Sequence, residues 1–162
     1  MQTISAELVE QTWKRMARMP FDEVPRIIDR MDKEQPEILG FLLGIDYDVL
    51  NEDERKLLLY LGTVVWEIMR QGLPRPKRVS AKRMNQFIDR TDKMTEYLMG
   101  ESADDFETSV VKIFQEHNQI NVLRYAVEAL FEMEEEDDDE VREEMKGLIF
   151  MNLKTIVEAL DQ

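Results

Sequence analysis

Bulky apolar residues recur along this chain at intervals of three and four, the spacing that lines one face of an α-helix, and glycine and proline fall between these periodic segments. Ala, Leu, Met, Glu, Lys and Arg dominate inside them, which favours helix over strand. Eight helices are expected. Ser5 caps the first, with Leu8, Val9, Thr12, Trp13, Met16 and Met19 inward, and Pro20 ends it. Asp22 and Pro25 open a second, carrying Val24, Ile27, Ile28 and Met31 inward, and Pro36 opens a short third through Leu39, Leu42 and Leu43. Asn51 with Glu54 three residues on is a capping-box start, and Gly72 before Pro74 reads as the stop of the fourth helix. Ser80 and Ser102 cap the fifth and sixth, with Gly100 closing the fifth, while the seventh runs from Gln119 to the acidic residues and the eighth ends near Leu160.

The fourth and eighth helices are apolar nearly all round, as interior helices are. They also repeat each other. LLLYLGTVVWEIM at Leu57 and IFMNLKTIVEAL at Ile149 pair Leu61, Thr63 and Val65 with Leu153, Thr155 and Val157. Upstream, QPEILGFLL and QINVLRYAV align Gln35, Leu39 and Phe41 with Gln119, Leu123 and Tyr125. Matches in the same order suggest an internal duplication, with the acidic run as an insertion in the second copy. The expected fold is all-α: one domain over 1–162, in which two tandem four-helix halves, 5–72 and 80–160, are related by a pseudo-twofold axis, share one core and are joined by a basic linker, 73–79.

Charge narrows the function. Thirty-five acidic against 21 basic side chains give a formal charge of −14, which opposes attraction to nucleic acid and to anionic membrane surfaces. The chain has no cysteine, so disulfides and thiolate chemistry are excluded, and its first residues lack the pattern of a secretory signal. A cytoplasmic protein is the expectation. One segment opposes the global charge: RQGLPRPKRVSAKR carries Arg70, Arg75, Lys77, Arg78, Lys82 and Arg83 and no acid. These six are the candidate site for an anionic ligand or an acidic partner.

Other candidate chemistry is thin. The run Glu132–Glu140 holds eight carboxylates but lacks the alternating ligands and central glycine of a calcium loop, so no metal site is assigned to it. His117 is the sole histidine, which excludes a paired Glu-x-x-His di-iron site, and its place at a helix C-terminus favours the cationic form. Methionines fill gaps on the apolar faces. Glu140-x-x-Glu143 followed by Glu158-x-x-Asp161 resembles the ExxE and ExxD pair of all-α nucleoside triphosphate pyrophosphatases of the MazG type. The resemblance covers four residues and implies magnesium held between carboxylates on separate helices. Here Glu143 and Glu158 are expected on one helix, about 22 Å apart, so only a break at Gly147 would bring them together. With no catalytic residue and no cofactor assigned, the expected function is a non-catalytic protein-interaction or regulatory module that binds a protein partner or self-associates. The alternative is a phosphate- or nucleotide-binding protein, or a carboxylate-metal enzyme.

Overall fold

The computed structural model describes residues 2–99, 103–132 and 140–161. Among them are eight helices and no strand: α1 (Ala6–Ala17), α2 (Val24–Glu34), α3 (Pro36–Gly44), α4 (Glu52–Gly72), α5 (Ala81–Met99), α6 (Ala103–Glu116), α7 (Ile120–Phe131) and α8 (Glu143–Leu160). A 3₁₀ turn at Phe21–Glu23 joins α1 to α2. The expected stop at Gly100, the cap at Ser102 and residues 133–139 lie outside the described residues, as do the side chains of Leu98 and Phe106.

Local chemistry sets the helix starts. Ser5 Oγ accepts the Leu8 amide at 3.2 Å and Ser80 Oγ accepts that of Arg83 at 3.1 Å. Asn51 and Glu54 exchange side-chain-to-backbone hydrogen bonds, both 2.9 Å, and complete the capping box. At the end of α3, Asp46 turns the chain with φ 52°, a left-handed conformation that Asp tolerates, and its carboxylate accepts from Asn152 at 2.9 Å.

The core is organised on α4 and α8. Every residue from Leu61 to Met69, and every residue from Ile149 to Val157, is buried, and the two helices pack against each other. Their starts are tied by Arg142 to Glu54, and their ends are both reached through Ile4, Gln119 and Asp161, so they run in the same direction. Helices α1, α2, α3 and α7 cover α4, and α5 and α7 cover α8. Leu39, Leu61, Leu123 and Leu153 are all buried.

Two expected inward positions face water instead. Leu43 lies one residue, about 100°, past Leu42 around α3, off the stripe made by Ile38, Leu39, Phe41 and Leu42, and Val24 sits at the rim where α1 turns into α2. Helix α4 does end at Gly72, as read from the sequence, but not through a glycine cap. Gly72 is helical with no left-handed φ, and a β-carbon there would stand 2.5 Å from Ile4 Cγ1. At Gly62 a β-carbon would meet Leu42 Cδ2 at 2.4 Å. Both glycines let another segment approach the central helix.

Two buried glutamines fasten extended segments to this core. Gln35 donates to the Lys77 carbonyl and accepts from the Val79 amide, each at 2.9 Å. Gln119 donates to the Gln2 carbonyl at 2.8 Å and accepts from the Ile4 amide at 3.0 Å. In each case the glutamine immediately precedes a helix and holds the strand that ends in a helix-capping serine.

Gly62→Ala is expected to destabilise the protein by about 1–3 kcal/mol, because overpacking against Leu42 outweighs the gain of about 1 kcal/mol in helix propensity. Urea unfolding monitored by circular dichroism measures the sign. Gln35→Leu and Gln119→Leu each leave a buried backbone N–H, that of Val79 or Ile4, without its partner. Each is expected to lose about 1–3 kcal/mol in the same assay.

Candidate functional site

The turn from α1 into α2 leaves an open cleft of about 750 Å³ against the C-terminal half of α4. Glu67 forms its base, with a side chain only 6% exposed. Arg70, one turn later on α4, grips Glu67 through Nε at 3.0 Å and Nη2 at 2.7 Å, while Gln71 donates at 2.9 Å and Arg15 reaches across from α1 at 3.3 Å. Burial works to raise the Glu67 pKa, but these donors and the two guanidinium charges outweigh it and hold the carboxyl below its usual range. The buried anion is therefore fully engaged by its neighbours.

What remains of the cleft is cationic. Lys14, Arg15, Arg18, Arg30 and Arg70 stand against Glu23 and Glu67, a local excess of three positive charges on a chain of net charge −14. Arg18 and Arg30 are exposed and have no ion-pair partner among the described residues. Met19 and Ile27, both half-buried, give the cleft an apolar side, and Phe21, 95% exposed, follows Pro20 at the rim.

Of the six cations singled out by sequence, Arg70 alone lines this cleft. Arg78 donates to the Lys33 carbonyl at 2.5 Å in the last turn of α2, one turn beyond Arg30, and so continues the basic rim. Arg83 lies over the Phe87 ring with Cζ 5.8 Å from the centroid. Arg75, Lys77 and Lys82 project into solvent, with Arg75 held at φ 47° between two prolines. Sequence reasoning missed Lys14, Arg15, Arg18 and Arg30 because Asp22, Glu23 and Asp29 separate the first three from Arg30 along the chain; only the turn from α1 into α2 gathers them.

A second, smaller cleft of about 320 Å³ lies between α5 and α8, where His117, Lys154, Glu158 and Asp161 meet. Lys154 and Glu158 form a close ion pair, and Thr91 and Thr155 a short hydrogen bond. His117 Nδ1 accepts the Gln119 amide at 3.0 Å, which places the ring proton on Nε2, 4.0 Å from Glu158 Oε1. Burial lowers the His117 pKa, Lys154 acts in the same sense, and Glu158 and Asp161 only partly oppose them. The expectation of a favoured cationic form at this helix end is thus reversed. Desolvation exceeds the dipole, and Nδ1 has no room for a proton while it holds the Gln119 N–H.

The carboxylates of the MazG-like pattern do not assemble a magnesium site. Helix α8 continues through Gly147 without a break, so Glu143 and Glu158 stay about 22 Å apart on it. Glu143 pairs with Lys146, Glu158 with Lys154, and Asp161 accepts from Gln119 and Asn118. Among the described residues no three His, Asp or Glu side chains converge to hold a metal ion, and residues 133–139 of the acidic run lie outside them. No helix among the described residues is long and apolar enough to cross a membrane. No known protein family, curated protein or solved structure matches this chain.

Because the folded-state pKa of His117 is depressed, the unfolded chain binds its proton first as pH falls. Stability is therefore expected to decline from about pH 6.5 down to the lowered folded-state value, and to be independent of this group above that window. Melting temperatures of the wild type and His117→Gln between pH 5 and 8 measure it. The difference between the two curves should change below about pH 6.5 and be constant above it.

Proposed function

We propose that this protein is a non-catalytic interaction module that receives an acidic segment of a partner protein in the cleft between α1, α2 and α4. The carrying observation is the local excess of positive charge, with Arg18 and Arg30 unpaired among the described residues, on a chain that is otherwise strongly acidic. Free guanidinium groups beside half-buried Met19 and Ile27 suit a ligand with carboxylates and an apolar side chain, since charge sets encounter and register while apolar contact supplies affinity. The basic rim extends from Arg30 to Arg78, so the strip Arg75, Lys77, Arg78, Lys82 and Arg83 belongs to the proposed contact surface. A phosphate-bearing small ligand is the second reading, favoured by the same two unpaired guanidinium groups.

The scaffold is proposed to be an internal duplication with a pseudo-twofold axis along α4 and α8. The paired glutamine clamps, the two serine caps that follow the clamped strands, and the two nine-residue buried runs support it. A cytoplasmic location is proposed on the absence of cysteine.

Fluorescence anisotropy with a labelled Glu/Asp-rich peptide carrying one Leu tests the cleft. Wild type is expected to bind it, and Arg18→Glu with Arg30→Glu to weaken binding by about ten-fold or more, since each substitution turns an attraction into a repulsion. Equal binding by the variant, or a thermal shift with tripolyphosphate and none with the peptide, would transfer the site to the small-ligand reading.

A further inference from the structure

We infer that the cleft between α5 and α8 is a second binding site, one that takes a small organic carboxylate with a short apolar group. This site is separate from the cleft between α1, α2 and α4 and does not depend on how that cleft is read. Lys154 and Asp161 are buried, His117 and Glu158 half-buried, and all four line a volume of about 320 Å³, near the lower end of the range for small-molecule pockets.

Which groups are already engaged decides the charge of the ligand. The carboxylates are: Glu158 pairs with Lys154, and Asp161 accepts from Gln119 at 2.8 Å and from Asn118 at 3.3 Å. The donors are not. An ammonium carries three N–H bonds, and among the described residues Glu158 takes the one on Lys154 that is used, although that side chain is only 6% exposed. The Nε2 of His117 stands 4.0 Å from Glu158, beyond hydrogen-bond reach for its proton. Arg90 lies with Cζ 5.3 Å from the Phe87 ring centroid and has no ion-pair partner among the described residues. Donors from α5, from the turn before α7 and from α8 therefore line one small volume, and a carboxylate supplies the acceptors they lack. Phe87 and Met94 give the same cleft an apolar wall. Glu158 and Asp161 stand beside it and oppose a doubly charged phosphate, which leaves a monoanion.

The place in the fold matches that of the larger cleft. Each lies between a helix that follows a serine cap and the C-terminal half of a central helix, and the caps set one register. Arg15 and Met19 stand ten and fourteen residues past Ser5, and Arg90 and Met94 stand ten and fourteen past Ser80. In the larger cleft Arg15 is spent on Glu67 at 3.3 Å, whereas Arg90 is left for a ligand.

His117 is the sole histidine, so its imidazole gives one ¹H–¹³C signal, and that signal reports on this cleft. The test titrates 4-methylpentanoate, with its uncharged amide as the matched control, into the ¹³C-labelled chain at about pH 7.5, above the usual histidine range. The carboxylate is expected to move the His117 signal saturably and the amide to leave it in place. Arg90→Glu should weaken carboxylate binding by about ten-fold or more, since an attraction becomes a repulsion. Arg90 is exposed, and unchanged circular dichroism and melting temperature establish that the variant folds. Arg18→Glu with Arg30→Glu, in the other cleft, should leave the titration unchanged, which separates the two sites. No saturable shift up to about 20 mM, where even millimolar binding is measurable, overturns the inference. An equal response to the amide, or full binding by Arg90→Glu, does the same. So does a His117 shift produced by the Glu/Asp-rich peptide and not by the free acid, which would give the cleft to a peptide side chain.

Discussion

Two helices that are apolar nearly all round cannot rest on a surface, and the rest of this molecule follows from enclosing them. Each must be wrapped, and α4 and α8 begin by wrapping each other. The remaining surface of each is then closed by helices that are amphipathic. Close approach to α4 is bought at two glycines, Gly62 beneath Leu42 and Gly72 beneath Ile4. Any larger residue at these points would push a covering segment away from the helix it must cover.

Enclosure also traps polar groups, and the way they are satisfied fixes the arrangement of the elements. Burial alone would raise the pKa of Glu54, but hydrogen bonds and charge from Arg142, with the Asn51 amide, outweigh it and hold the carboxylate ionised. That pair aligns the start of α8 with the start of α4. A buried carboxylate of this kind contributes little net stability over an apolar pair, yet removing one partner is costly, so it specifies geometry more than it strengthens the fold. The glutamine clamps act similarly: an amide side chain presents a donor and an acceptor together, which suits one extended backbone segment in one register.

Much of the fold was legible because it is local or periodic. The caps at Ser5, Asn51 and Ser80, the nearly all-round apolar character of α4 and α8, and the like positions of Gln35 and Gln119 before a helix could be read from spacing. What escaped was what folding assembles. The cleft draws Lys14, Arg15 and Arg18 from α1, Arg30 from α2 and Arg70 from α4, and no window of the chain contains them together. The strip Arg70–Arg83 stood out because it lacks acids, but contiguity along a chain is not convergence in space: Arg78 is drawn to Lys33 and Arg83 to Phe87. For His117, helix-end position favours the cation, while depth of burial, invisible in sequence, reverses the sign.

The clamp at Gln119 bears on synthesis. It holds the segment Gln2–Ile4, and through its own bond to Asp161 it joins residues more than a hundred positions apart along the chain. Meanwhile α4 emerges with the nine residues that end up buried and waits for α8, its principal partner. Helices α1, α2 and α3 precede α4 and can cover part of it at once, so the face that waits is the one α7 and α8 will bury. Chains in that condition are held by chaperones or find one another, and the acidic side chains Glu52, Asp53 and Glu54 at the head of α4 give the exposed intermediate a charge that keeps its copies apart.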